Sequence, residues 1–173
     1  VILGCPSINT NFLSPNGFDL VIERLPNVSF FTQTVILPSV MLSIQEQLTP
    51  LSKMLIPGEQ IDFSPLTIQF MVDSNMNNYH EVFKWIRGLG FPENHDQYKS
   101  ENNRGFDSSS DLQNNYSDAK LLVYGPTGNT IRTFNFIDCF PISLDGVSFT
   151  TTNTDVPYAV ASMTLSYSYF TIS

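Results

Sequence analysis

The sequence predicts a mainly β protein carrying a single helix, and three observations predict it. Aromatic residues are abundant, 14 Phe and 7 Tyr against one Trp, in company with many Thr, Ser and Val. Such side chains suit pleated, half-buried surfaces. Apolar and polar residues alternate at period two along several stretches. An apolar stripe at helical spacing occurs once, over 77–90. One helix among strands must lie on a sheet or plug a barrel end. At 173 residues and 42% apolar content, 1–173 reads as a single domain able to bury a real core.

Residues 1–16, rich in Asn, Ser and Pro, read as an extended lead-in. FDLVIER (Phe18–Arg24) follows, with Phe18, Leu20 and Ile22 on one face and Asp19, Val21 and Glu23 on the other, a half-buried strand. Leu25, Pro26 and Asn27 turn the chain into a second strand, VSFFTQTVI (Val28–Ile36), which Pro38 closes. MLSIQEQ (Met41–Gln47) reads as a third.

The next stretch, LTPLSKMLIPGEQIDF (Leu48–Phe63), is different in kind. It sets Leu48, Leu51, Met54, Leu55 and Ile56 around Pro50 and Pro57, with Gly58 directly behind. Prolines so placed fit badly in one continuous helix, and the stretch is too long for a tight turn. It reads as an arm whose apolar side chains need cover.

PLTIQFMVD (Pro65–Asp73) returns to alternation, with Leu66, Ile68, Phe70 and Val72 toward the core and Thr67, Gln69 and Asp73 away from it, beside Met71. In NNYHEVFKWIRGLG (Asn77–Gly90), Tyr79, Val82, Phe83 and Ile86 form one helical stripe; Asp73, Ser74 and Asn75 offer caps, and Gly88 or Gly90 can end the helix. Residues 91–118 are dense in Asn, Ser and Asp and read as a long polar loop, of a length that suits mobility or contacts. AKLLVYG (Ala119–Gly125) and TIRTFNFIDCF (Thr130–Phe140) flank a GPTGN hairpin loop. GVSFTTT (Gly146–Thr152) and YAVASMTLSYSYFTI (Tyr158–Ile172) complete eight to ten strands; in the last, Met163, Leu165, Tyr167 and Tyr169 alternate with Thr164, Ser166 and Ser168.

Catalytic and metal motifs fail at specific residues. HEVFK (His80–Lys84) begins like a helical zinc-protease motif but has Lys84 where the second His must face the ion. GPTGNT (Gly125–Thr130) is too short between its glycines for a phosphate loop and has Asn129 in place of the lysine. FDSSSD (Phe106–Asp111) lacks the spaced ligands, central Gly and closing Glu of an EF-hand, so Asp107 and Asp111 suit opportunistic calcium at most. His95 and Asp96 adjoin, yet no nucleophile elbow accompanies them. Motif reading therefore predicts no enzyme, no cofactor and no metal site. Cys5 and Cys139 are too few for a disulfide scaffold and read as free buried thiols. Asn27 and Asn115 begin Asn-x-Ser triplets, which matter only on a glycosylating route.

Sixteen acidic against eight basic residues leave a formal charge of −8. That balance argues against tight nucleic-acid binding, which depends on Lys and Arg at phosphates, but permits a surface past which DNA slides. No apolar run approaches the roughly 20 residues that span a membrane, and no signal core follows a charged start, so an intracellular origin without membrane partners is expected.

The ordered set of features resembles a known family. A strand ending in LP (Leu37–Pro38), a further strand, the arm closing in IPGEQIDF (Ile56–Phe63), the strand LTIQFMVD, the helix NYHEVFKWIRGLG with its Trp85, and the long closing strands 118–170 are together similar to the tail tube proteins of contractile-tailed bacteriophages. The resemblance covers roughly 17–172; the loop 91–118 departs from it. It implies a tube-type β-barrel or two-sheet sandwich with a flanking helix and an extended apolar arm. It further implies six-membered rings stacking into a conduit for DNA ejection, in a virion tail assembled in the host cytoplasm. The partners implied are other copies of the chain, a tail sheath, baseplate proteins and phage DNA passing without specific binding.

Under that resemblance the arm residues Leu48, Leu51, Met54, Leu55 and Ile56 bury themselves in a neighbouring copy. Thr67, Gln69 and Asp73, or Thr164, Ser166 and Ser168, are candidates to line the lumen. A tube-initiating or baseplate protein of the same fold is the nearest alternative. A carbohydrate-binding β-sandwich using Tyr98, Phe106 and Tyr116 as stacking platforms is the alternative of another class, and it leaves the arm unexplained.

Overall fold

The computed structural model describes residues 13–48, 50–90, 115–149 and 158–173, and among these it has nine strands and two helices. β1 (Phe18–Ile22), β6 (Ser117–Tyr124), the first half of β7 (Thr130–Leu144) and β9 (Tyr169–Ile172) pair side by side. The second half of β7, β8 (Val160–Ser166), β5 (Leu66–Met71) and β2 (Thr32–Ile36) pair likewise, and every ladder is antiparallel. The two sheets share β7 and are not closed into a barrel, so the fold is a β-sandwich rather than a barrel, with a helix packed on it.

β7 can serve both sheets because it bends. An extra residue enters β7 where its pairing passes from Ala119↔Phe136 to Ser117↔Cys139, and Asp138 there has φ 56°. Such a bulge sharpens the local twist. The Asp138 N–H donates to Asp118 Oδ1 at 3.3 Å, and the Ser168 N–H donates to the Ile137 carbonyl at 3.0 Å. On the partner strand the chain breaks at Tyr167–Ser168, so the single closing strand expected over 158–172 is two, β8 and β9. The alternation holds through Met163, Leu165 and Tyr167, all buried; Tyr169 comes after the break and is exposed.

The core lies between the sheets. Leu20 and Ile22 of β1, Leu121 of β6 and Phe136 of β7 meet Leu66, Ile68 and Phe70 of β5 and Met163 and Leu165 of β8. β1 and β5 obey the alternation read from sequence. α2 (Asn77–Gly90) has the expected bounds but a rotated buried face: Asn78, Val82, Trp85 and Gly88 are inside, Tyr79 and Ile86 are half-buried, and Phe83 is exposed. Burying the large Trp85 ring, whose indole N–H donates to the Asn115 carbonyl at 3.2 Å, turns the stripe away from Phe83. The Arg24 guanidinium stacks 4.9 Å from that ring's centre.

Asp73, Ser74 and Asn75 do not cap the helix. The fully buried Asn78 ties its first turn to the end of β5, donating to the Met71 carbonyl at 2.7 Å and accepting from the Asp73 N–H at 3.2 Å.

A second helix was not expected. α1 (Pro26–Phe30) occupies the start of the stretch read as strand over 28–36, leaving Thr32–Ile36 as β2. Pro26 at the first turn has its φ preset for helix. Ser29 Oγ bonds the Leu25 carbonyl and accepts from the Ile22 N–H, while Val28 is fully buried. These local bonds outweigh the strand preference of Val28 and Phe30.

The GPTGN hairpin is as expected, with Gly128 at φ 80° and the Gly125 N–H bonded to the Asn129 carbonyl. β6 begins at Ser117, inside the range read as loop, and residues 146–149 of the expected strand 146–152 carry no strand pairing. Cys139 is buried as a free thiol, while Cys5 lies outside the described residues.

Candidate functional site

β3 (Val40–Leu48) and β4 (Lys53–Phe63) form a separate two-stranded sheet that pairs with no other strand among the described residues. The stretch read as an arm is thus the tip and return strand of a hairpin, and the strand read over 41–47 is its outgoing half. Cross-strand partners point to the same face. Val40↔Phe63, Leu42↔Ile61, Ile44↔Pro57, Glu46↔Leu55 and Leu48↔Lys53 define one face; Met41↔Asp62, Gln45↔Ile56 and Gln47↔Met54 define the other.

Between Leu42↔Ile61 and Ile44↔Pro57 the register shifts, so that Ser43 alone stands against Gly58, Glu59 and Gln60. Ser43 Oγ accepts from the Gln60 N–H at 3.2 Å, and a Cβ on Gly58 would lie 2.2 Å from that Oγ and 2.7 Å from the Ser43 carbonyl oxygen. Glycine is required there by close approach. Because β4 carries two residues more than β3 at this point, inside-out alternation is preserved from root to tip.

The root of the arm is fixed to the sandwich. Ser64 donates its N–H to the Ser39 carbonyl, and Tyr167 Oη donates to the Ser64 carbonyl at 2.8 Å. Phe63 joins a ring cluster, 5.4 Å from Phe170 and 6.1 Å from Tyr167, and Phe136 completes it 5.1 Å from Tyr167. Beyond this root the arm's side chains meet water.

All five arm residues singled out in the sequence are exposed, from Ile56 at 38% to Leu51 at the tip at 99%. The structure divides them: Leu48 and Leu55 belong to the first face, Met54 and Ile56 to the second. Val40, Met41, Leu42, Ile44 and Ile61 are exposed too and enlarge the patch. Their signal, alternation over 40–44, was present but reads equally as core when the absence of a covering layer is unknown. Glu46 and Lys53 pair at 2.9 Å near the tip and neutralise each other.

The lumen candidates meet in part. Thr67 lies opposite Thr164, and Gln69 opposite Ser162, on the outer face of β5 and β8. Ser166 is on that face, and Thr34 of β2 extends it beside Gln69. Thr34, Thr67, Gln69, Ser162, Thr164 and Ser166 share this face with the exposed Ile36, opposite Thr67, and Val160, opposite Met71, and the face carries no charge. Asp73 lies past the end of β5 beside Asn78, and Ser168 lies in the break after β8, where its hydroxyl is 3.4 Å from Asp138 Oδ2. Neither belongs to the face.

His80 and Lys84 are exposed on α2, and among the described residues no cluster of His, Cys, Asp or Glu could hold a metal. Tyr116 stands edge-on to Phe140 at 5.8 Å, whereas Tyr98, Phe106, Asp107 and Asp111 lie outside the described residues. No helix among the described residues is long and apolar enough to cross a membrane.

No family model and no curated protein matches the chain. Solved structures do. A chain in the cryo-EM structure of the anti-feeding prophage cap, a tube terminating cap, is similar with a TM-score of 0.66 and 16% identity, over 100% of this chain and 99% of that one. A chain in the sheath-tube complex of an extracellular contractile injection system, PVC, in its extended state, gives 0.64 and 17%, over 95% and 93%. A chain of the anti-feeding prophage baseplate structure gives 0.64 and 10%, over 96% and 97%. At these identities the likeness concerns architecture, and the chain has a fold found in tube, cap and baseplate structures of contractile injection systems.

Proposed function

We propose that this chain is a structural subunit of a contractile tail tube, which self-assembles through its arm into stacked, six-membered rings and performs no catalysis. The observation that carries the reading is a hairpin rich in exposed apolar side chains that, among the described residues, pairs with no other strand. Burying Leu48, Leu51, Met54, Leu55 and Ile56 in a second copy would contribute on the order of 5–10 kcal/mol before ordering costs. Head-to-tail contacts of this kind build rings and filaments.

The finer assignment is a contractile phage tail, with a sheath outside, a baseplate at one end and DNA leaving through the lumen. The uncharged face of β2, β5 and β8 supports a lining role, since it offers phosphates no cation to bind. An acidic chain of net charge −8 adds repulsion at longer range. A ring that initiates or terminates the tube is a second reading, favoured by the similarity to chains of the cap and baseplate structures.

The test is the double substitution Leu51→Asp with Leu55→Asp, followed by sedimentation velocity and circular dichroism. The expected product is a folded monomer at concentrations where the unmodified chain assembles. An unfolded product would show that the arm belongs to the core, and unimpaired assembly would overturn the role of the arm.

A further inference from the structure

The turn that leads into β1 carries a reactive pair. Asn16 is exposed beside Pro15, and it is the one asparagine of the chain with a glycine directly behind it. An asparagine side chain is lost when the backbone nitrogen of the next residue attacks its amide, and a side chain on that next residue hinders the approach. Glycine has none, and its backbone turns most readily into the attacking geometry.

The fold itself holds Gly17 to glycine. A Cβ there would lie 3.1 Å from the Tyr124 carbonyl oxygen and 3.3 Å from the Tyr124 Cβ, a close approach that favours glycine. The Gly17 carbonyl accepts from the Tyr124 N–H at 2.8 Å, which anchors the pair at the edge of the sheet. Ladder pairing starts only at Phe18↔Val123, and among the described residues the Gly17 N–H makes no backbone bond. The amide that would be attacked is in water, and the nitrogen that would attack it is not tied up.

We infer that Asn16 is a site of spontaneous deamidation, with water as the only co-reactant. The Gly17 nitrogen loses its proton and bonds to Asn16 Cγ; the Cγ–Nδ2 bond breaks, and the amide nitrogen leaves with that proton as ammonia. The product is a five-membered succinimide. Water then opens the ring at one of its two carbonyls. Opening at Cγ gives an aspartyl residue; opening at the main-chain carbonyl gives an isoaspartyl residue, whose backbone runs through Cβ and Cγ and is one methylene longer. Either product carries a carboxyl of ordinary pKa about 3.9, ionised at neutral pH. The isoaspartyl form inserts its extra methylene directly before the Gly17–Tyr124 bond, where the chain joins the sheet.

The test holds the purified full chain at mildly alkaline pH, with the same chain in guanidinium chloride beside it. The peptide carrying Asn16 is followed by mass spectrometry and by labelling with an isoaspartyl methyltransferase. The expected result is a gain of about 1 Da and one negative charge at Asn16, ahead of every other asparagine, with methyl label on part of the product. The folded chain should react there at a rate within about tenfold of the denatured one. Asn16→Gln, whose longer side chain would need a six-membered ring, should keep its mass at that position and its isoelectric band. Earlier reaction at another asparagine, or a folded chain slower at Asn16 by more than about tenfold, overturns the inference. An Asn16→Gln chain that turns acidic as fast as the wild type overturns it as well.

Discussion

Gly58 and Ser43 show how much of the arm depends on one missing methylene. A Cβ at Gly58 would meet backbone as well as side chain, so trimming Ser43 would not make room. Gly58→Ala should strain the hairpin by about 1–3 kcal/mol, the usual cost of overpacking. Because tenfold in an equilibrium corresponds to about 1.4 kcal/mol, the concentration needed for assembly should rise about fivefold or more. Light scattering against concentration measures it, and the thermal midpoint of the sandwich should stay in place.

Within the sandwich, burial pushes the Cys139 thiol up to about 12, with Asp118 raising it further, and burial likewise pushes the Tyr167 hydroxyl up to about 12. Both groups keep their protons in the folded chain at pH values where the unfolded chain loses them. Their contribution to stability is complete below pH 9.0, the ordinary thiol value, and is lost as pH rises toward about 12. Urea midpoints should therefore fall on the alkaline side, and Cys139→Ala should make that fall shallower.

Among the elements, those with regular periodicity and cover from their own chain were legible in the sequence. β1 and β5 alternate as their residues suggest, and α2 has its expected bounds. Three features were hidden because tertiary partners decide them. α1 depends on Ser29 reaching Ile22 and on a buried Val28; the β8–β9 break depends on the bend of β7 at Asp138; and the orientation of α2 depends on room for Trp85. Of the candidate site, the apolar arm was readable from Pro50, Pro57 and the side chains between and beside them. Its outgoing strand was read over 41–47 as a strand but not as part of the arm, since Leu42 and Ile44 look like core when only the alternation is known. The lining candidates were half readable: period two finds Thr67 and Thr164, but Asp73 and Ser168 fall where the strands have ended.

α2 also supplies a prediction at this scale. Asn78 is the single polar side chain among the fully buried residues described, and it joins the helix to β5. Asn78→Ala leaves the Met71 carbonyl and the Asp73 N–H without it, at a cost of about 2–4 kcal/mol. Urea unfolding followed by the fluorescence of Trp85, the only tryptophan, reads the loss directly.

For the whole molecule, the division of labour is between a sandwich that is complete and an arm that is not. The sandwich encloses its core between two sheets and a helix; the arm stands outside it with both faces wet. An isolated two-stranded hairpin is marginally stable in water, so further copies that cover the arm also stabilise it. The most direct test is negative-stain electron microscopy of the purified chain over a range of concentrations. The account predicts rings that stack into hollow tubes with a regular axial repeat. Dispersed single particles at every concentration would contradict it.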